Sequence, residues 1–202
     1  MIEVVKFLSN PMGENAYIFF LEGEKRAVAV DPSYNAQAML NYLKEEETQL
    51  EAILLTHGHF DHIAGVDVLR EATGAPVYIH EADAQMLEDP EKNLSVITHR
   101  LFTIKPADRL LKGQEVLELA GMQVQVLHTP GHSPGGVCYL AEDVLFSGDT
   151  LFSMSIGRTD LPGSNEEQMK ASLAKLCALE REYVVYPGHG QSTSLGFEVQ
   201  NN

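Results

Sequence analysis

The stretch "LLTHGHFDHIAG" (54–65) sets His57, His59, Asp61 and His62 directly after a run of aliphatic residues, in a 202-residue chain with only eight histidines. A single imidazole in a core is ordinarily a satisfied hydrogen-bonder. Several desolvated polar groups side by side are different, because each costs roughly 1–3 kcal/mol if left unpaired. A metal ion would pair with all of them. Further donors recur along the chain: His128 and His132 in "HTPGHSPGG", Asp149 in "LFSGDTLF" and His189 in "VVYPGHG". Each follows a strand-like run and is flanked by glycine or proline, where a backbone turns tightly and presents a side chain. His57, His59, Asp61, His62, His132, Asp149 and His189 make five imidazoles and two carboxylates. That is too many for one tetrahedral ion and suits two divalent ions sharing a bridging carboxylate. Ligation by nitrogen and oxygen without cysteine favours Zn²⁺ and tolerates Fe²⁺ or Mn²⁺. His80 and His128 fit a core or supporting role better than ligation, with His128 or Thr56 placed to orient a liganding imidazole. His99 reads as exposed.

Such donors need strand ends to carry them. Residues 4–8, 16–21, 27–30, 52–56 and 76–80 read as strands, as do 115–120, 122–129, 137–141, 143–148 and 183–188. Ala36, Met39, Leu40 and Leu43 recur at helical spacing after Ser33, and a second helix is expected from Asp61 to Gly74. "EADAQML" reads as a short helix. Ser164 and Glu167 predict a capping box for a helix burying Met169, Leu173 and Leu176. Residues 88–113 show no clear period and read as a surface excursion or a lid. Strand runs interspersed with helices predict an α/β layered domain, with two packed sheets and helices outside. No linker-like stretch divides the chain, so one domain over 1–202 is expected.

Composition narrows the function classes. With 14 basic against 29 acidic residues the net charge is −15, which repels nucleic acid. The apolar run "AYIFFL" is six residues long, far too short to span a membrane, and no signal-peptide pattern opens the chain. A cytoplasmic protein acting on a small molecule is the expectation. Cys138 and Cys177 show no CxxC spacing and lie in apolar patterns, predicting two buried free thiols.

"THGHFDH", followed by His132, Asp149 and His189, with "DP" at 31–32 and the closing "PGHG", resembles the metallo-β-lactamase superfamily over most of the chain. The resemblance implies a four-layer αββα sandwich with the site at one edge between the sheets. It implies that His57, His59 and His132 hold one ion, that Asp61, His62 and His189 hold the other, and that Asp149 bridges them. Asp149 stands where cysteine-liganded β-lactamases differ, and His59 stands where electron-transferring diiron members carry glutamate. "GDTLFSMSIGRTDLPG" is similar to glyoxalase II and to its persulfide dioxygenase relatives. The helical C-terminal extension with which glyoxalase II holds glutathione is not expected in the 13 residues after His189. Arg158 matches a substrate-contacting basic position, and Asp160 is equally placed to pair with it.

The expected activity is metal-dependent hydrolysis of a small thioester, of the hydroxyacylglutathione hydrolase type. A bridging hydroxide would attack the carbonyl carbon and Asp61 would orient it. A thiolate leaves without a dedicated general acid. Two alternatives use the same residues. One is a mononuclear iron persulfide dioxygenase built on His57, His132 and Asp149. The other is a metal-binding domain without catalysis.

Overall fold

The computed structural model describes residues 1–9, 13–98 and 101–202; His99 lies outside them. The first sheet holds β1 (Ile2–Leu8), β2 (Asn15–Leu21), β3 (Arg26–Val30), β4 (Gln49–Leu54), β5 (Val77–His80) and β6 (Arg109–Leu111), neighbours in that order. β1 to β3 pair antiparallel, and β3 to β6 pair parallel. The second half contributes β7 (Val116–Leu119), β8 (Met122–His128), β9 (Val137–Ala141) and β10 (Val144–Gly148). A small hairpin, β11 (Leu151–Phe152) with β12 (Ser155–Ile156), precedes β13 (Val184–Pro187) and β14 (Thr193–Ser194). The second sheet is ordered β14-β13-β10-β9-β8-β7. β8 and β10 are each antiparallel to β9, and β10 is parallel to β13. Two reversals restore direction, so β8, β10 and β13 all end at the same edge.

The sequence pattern explains the layering. In β8, Met122, Val124 and Val126 are buried while Gln123 and Gln125 are exposed, the period-two pattern of a strand with one covered face. β2 is buried on both faces instead. Tyr17 and Phe19 join Val124, Tyr139 and Phe146 between the sheets, while Ala16 and Ile18 face the helices α1 (Ala36–Glu45) and, after α2 (Phe60–Ile63), α3 (Val66–Thr73). A third cluster packs Leu145 and Val185 against Leu176 of α4 (Glu166–Cys177) and Leu195 of α5 (Leu195–Asn201). The result is the expected mixed α/β arrangement, two facing sheets flanked by helices.

Several expectations shift locally. The helix expected over 61–74 is two helices, α2 and α3, with Gly65 between them where its backbone passes so close to the Ser33 carbonyl that no side chain fits. It closes as expected at Gly74, whose left-handed backbone returns an N–H to Arg70. The cap of α4 is Asn165, which accepts from the Gln168 N–H at 2.9 Å; Ser164 donates to the His132 carbonyl instead. "EADAQML" is 3-10 helical, and β6, β11, β12, β14 and α5 had no sequence expectation. Cys138 is buried as expected, but Cys177, one residue past buried Leu176, is exposed.

Two tyrosines cross the inter-sheet core to strand ends. Tyr139 of β9 donates to the Leu55 carbonyl at 2.7 Å, and Tyr17 of β2 donates to the Pro187 carbonyl at 2.7 Å. Asn15 also donates to Pro187 O, at 2.9 Å, whereas no second donor to Leu55 O is found among the described residues. Tyr139→Phe is therefore expected to cost about 1–3 kcal/mol in denaturant unfolding, and Tyr17→Phe less. The reverse order would show that these bonds do not hold the sheets as described.

Candidate metal centre

The histidine-rich segment leaves β4 as an extended loop and enters α2, which begins at Phe60. That turn carries Asp61 and His62 one helical step apart, while His57 and His59 lie on the preceding extended chain. His132 sits in the turn after β8, Asp149 follows β10 and His189 follows β13. All seven meet at one edge of the sandwich. His59 Nδ1 lies 2.9 Å from His132 Nε2. Asp149 stands between two groups: its Oδ2 is 3.3 Å from His132 Nε2 and its Oδ1 is 3.4 Å from His62 Nε2. His189 Nε2 is 3.4 Å from Asp61 Oδ2 and 3.7 Å from Asp149 Oδ2. Donor atoms of His57, His59 and His132 lie within 4.8 Å of one another, as do those of His57, His62 and Asp149, and of Asp61, His62 and His189.

These residues fit divalent cations on two counts. His57 Nε2, His62 Nε2 and Asp149 Oδ1 are buried without a hydrogen-bond partner and face one another, unpaired polar atoms that a bound cation would satisfy. The donor separations also bracket the edge of a tetrahedron around an ion with bonds of ~2.0–2.1 Å, about 3.3–3.4 Å. A side chain at Gly188 would collide with Asp149 Oδ1 and His62, so a glycine is required where the backbone approaches the centre.

The ring orientations follow from a chain of hydrogen bonds. Asp31, at the end of β3, accepts from the Thr56 N–H at 2.8 Å and from Thr56 Oγ1 at 2.6 Å. Because the Thr56 hydroxyl spends its proton there, its oxygen accepts from His57 Nδ1 at 3.1 Å. His62 Nδ1 donates to Asp31 Oδ2 at 3.0 Å, and His132 Nδ1 donates to the Arg158 carbonyl at 2.9 Å. In all three rings Nδ1 is hydrogen-bonded on the outer side and Nε2 faces the centre, the arrangement found around metal-bound imidazoles. Thr56 thus has the orienting role expected of it. His128 does not: it stacks on His80 with centroids 4.0 Å apart and reaches the Pro134 carbonyl at 3.0 Å.

Asp31 was visible only as the "DP" after a strand, although a carboxylate at a strand end is the signal that marked Asp149. Asp83 carried no signal of its own, since it lies within "EADAQML", which reads only as a short helix. It is fully buried, and accepts from Gly58 N at 3.2 Å, Ser133 Oγ at 2.7 Å and Gly135 N at 2.6 Å. It thereby ties the His57–His59 loop to the His132 loop.

The centre opens into a cleft of about 240 Å³, with His59, Asp61, His132, Asp149 and His189 on its floor and Arg158 at its side. Arg158 lines the cleft and also pairs with Asp160, by two bonds of 2.8 and 2.9 Å.

The profile of the metallo-beta-lactamase superfamily matches residues 11–189. The chain belongs to this superfamily. A Bacillus subtilis protein named "Probable metallo-hydrolase YqgX" is 39% identical over 95% of this chain and 92% of its own length. The hydroxyacylglutathione hydrolase GloC of Haemophilus influenzae is 32% identical, covering 90% and 88%. Among solved structures, the BLEG-1 B3 metallo-beta-lactamase superposes with a TM-score of 0.94 at 42% identity, over 99% of this chain and 98% of its own. TTHA1623 in a di-iron-bound form gives 0.83 at 39%, covering 98% of both. The αββα sandwich of the superfamily is the fold described above.

The two halves of the candidate centre differ in charge. In the metal-free protein, burial and the neighbouring imidazoles hold His57 well below the ordinary histidine range, and burial with His132 takes His59 down to about 3. Burial also pulls His62 down, but Asp149, Asp61 and Asp31 outweigh it and hold that imidazole up at about 10. His189 is raised in the same way, against burial, by Asp61 and Asp149. Burial pushes Asp61 up, yet His62 and His189 outweigh it and leave its carboxyl below the usual range. His62 raised above its unfolded value stabilises the metal-free protein most fully below pH ~6.5, and that contribution is lost as pH rises towards 10. A cation taking Nε2 of His62 must displace its proton. Titrating Zn²⁺ into chelator-stripped protein at pH 7.5 should release at least one proton per chain, measured by calorimetry in buffers of different ionisation enthalpy, and affinity should rise with pH. Binding without proton release would contradict the assignment of His62.

Proposed function

We propose that the protein is a dinuclear metal-dependent hydrolase that cleaves small thioesters. The observation that carries this reading is the position of Asp149, whose two oxygens face different donor groups at 3.3 and 3.4 Å. In this assignment His57, His59 and His132 hold one divalent ion, Asp61, His62 and His189 hold the second, and Asp149 serves both. Bound ions supply Lewis acidity and a water-derived nucleophile at neutral pH. Zinc suits the donor set, and the di-iron form of TTHA1623 keeps iron in contention.

The chain's own residues do the rest. Asp61, at the floor of the cleft, accepts a hydrogen bond from the attacking water and orients it. The buried imidazoles hold their lone pairs inward and exclude bulk water from one side of the centre, while the cleft admits substrate from the other. A thiolate departs without a proton donor, consistent with a cleft floor made of ligands alone. The likeness to GloC supports a thioester, and the likeness to BLEG-1 makes a β-lactam the first competing substrate to test.

Protein purified without added metal is expected to carry about two divalent ions per chain and to release thiol from an acyl thioester. Oxygen uptake with a persulfide would instead favour the dioxygenase chemistry, and turnover of a β-lactam alone would replace the thioester. Asp149→Ala should lower occupancy at both positions, and His189→Ala chiefly at one. A ratio that stays at two in the Asp149 variant would overturn the shared-ligand assignment.

A further inference from the structure

We infer that the substrate carries an uncharged apolar arm, selected by Leu94 and Ile97, and not an anionic carrier such as glutathione. This rests on the hydrolase reading for the scissile bond, though the arm can be tested without it. Above its polar floor, the cleft is walled by Phe60, Leu94, Ile97, Phe152 and Leu161. One exposed isoleucine on a surface needs no explanation, but Ile97, 65% exposed, lines the same cleft as Phe60, Leu94, Phe152 and Leu161, beside convergent polar groups.

That wall is built, not incidental. Leu94 has φ +67°, a left-handed backbone that is costly for a bulky residue and persists only where its surroundings enforce it. The enforcement comes from Asn93, which is fully buried. Its side chain donates to the carbonyls of Met86 at 3.0 Å and Phe102 at 2.8 Å, and accepts from the Ser95 N–H at 2.9 Å. Its carbonyl accepts from the Phe60 N–H at 2.9 Å, which docks the segment onto the start of α2. The strained turn thus delivers Leu94 to the cleft, and the 3-10 turn over Ser95–Thr98 places Ile97 beside it.

Charge points the same way. Among the described residues, Arg158 is the one cationic side chain lining the cleft, and both bonds of its guanidinium fork go to Asp160. A paired fork has little left for the carboxylates of a peptide thiol. Among the described residues the walls offer contact to methylene groups and no unpaired positive charge.

The test uses the metal-loaded full chain and two independent readouts. Calorimetric binding of acetate, butanoate and hexanoate reports the arm without turnover. Each methylene fully removed from water is worth roughly fourfold, so partial burial should make hexanoate bind about tenfold tighter than acetate or more. Leu94→Asn keeps a residue that tolerates left-handed backbone while removing the apolar surface, and Ile97→Ser changes an exposed position that folding does not depend on. In both, the hexanoate advantage should fall to about threefold or less. In turnover, S-hexanoyl-N-acetylcysteamine should exceed both its acetyl counterpart and S-lactoylglutathione in kcat/KM. Binding that ignores chain length, variants that keep the full advantage, or a preference for S-lactoylglutathione would each overturn the inference. If the chain-length gain persists while no thioester is cleaved, the proposed reaction fails and the apolar subsite stands.

Discussion

The Asp31 carboxylate is the interaction on which the centre depends. It lies at the junction of β3 and β4, is almost fully buried, and takes three donors: the Thr56 amide, the Thr56 hydroxyl and the His62 imidazole. A carboxylate in that position is tolerable only because its lone pairs are used. The backbone accommodates it at some cost, with Asp31 at φ +46° and Ser33 at φ +50°, both unusual for residues other than glycine. One group therefore fixes the end of a strand, the direction of the histidine loop and the orientation of two imidazoles.

From that point the architecture is a solution to a desolvation problem. Five imidazoles and two carboxylates must face one another away from bulk water, and each must be held by something else. Backbone and side-chain partners behind them, Thr56, Asp31 and the Arg158 carbonyl, hold the rings of His57, His62 and His132 with Nε2 turned inward. Asp83 holds two of the loops together from outside the centre. The tyrosine bonds across the sheets stop the strand ends from separating. Burial grades from the enclosed His57 and His62 to the half-buried Asp61 and His189, so the centre is sealed at the back and open at the cleft.

The division between a polar floor and apolar walls has the same logic. The candidate donor groups come from strand ends, where rigid sheets set their separations. The walls come from Phe60 at the start of α2, from the irregular segment before β6, and from the β11–β12 hairpin and the loop after it, all outside the two large sheets. A strained turn at Leu94, clamped by Asn93, supplies the rigidity that secondary structure does not.

Residue type and spacing alone determined much of this protein. Three histidines and an aspartate after an aliphatic run, with His132, Asp149 and His189 after later strands, mark the candidate donors, because few other uses for so many glycine-flanked imidazoles are physically inexpensive. Period-two and helical spacing likewise determined the long strands and α1. Tertiary structure decided what depends on distant partners. Asn165 caps α4 because Ser164 is drawn to the His132 carbonyl. Residue 65, between α2 and α3, must be glycine because the Ser33 carbonyl lies where a side chain would stand. The two- and three-residue strands exist because neighbouring strands pair with them, a cause that their own residues do not carry. Asp83 reads only as part of a short helix until the fold brings Gly58, Ser133 and Gly135 around it. The apolar wall was invisible for the same reason: a stretch without periodicity becomes a surface only when a buried asparagine and the turn it holds are brought to the edge of the sheets.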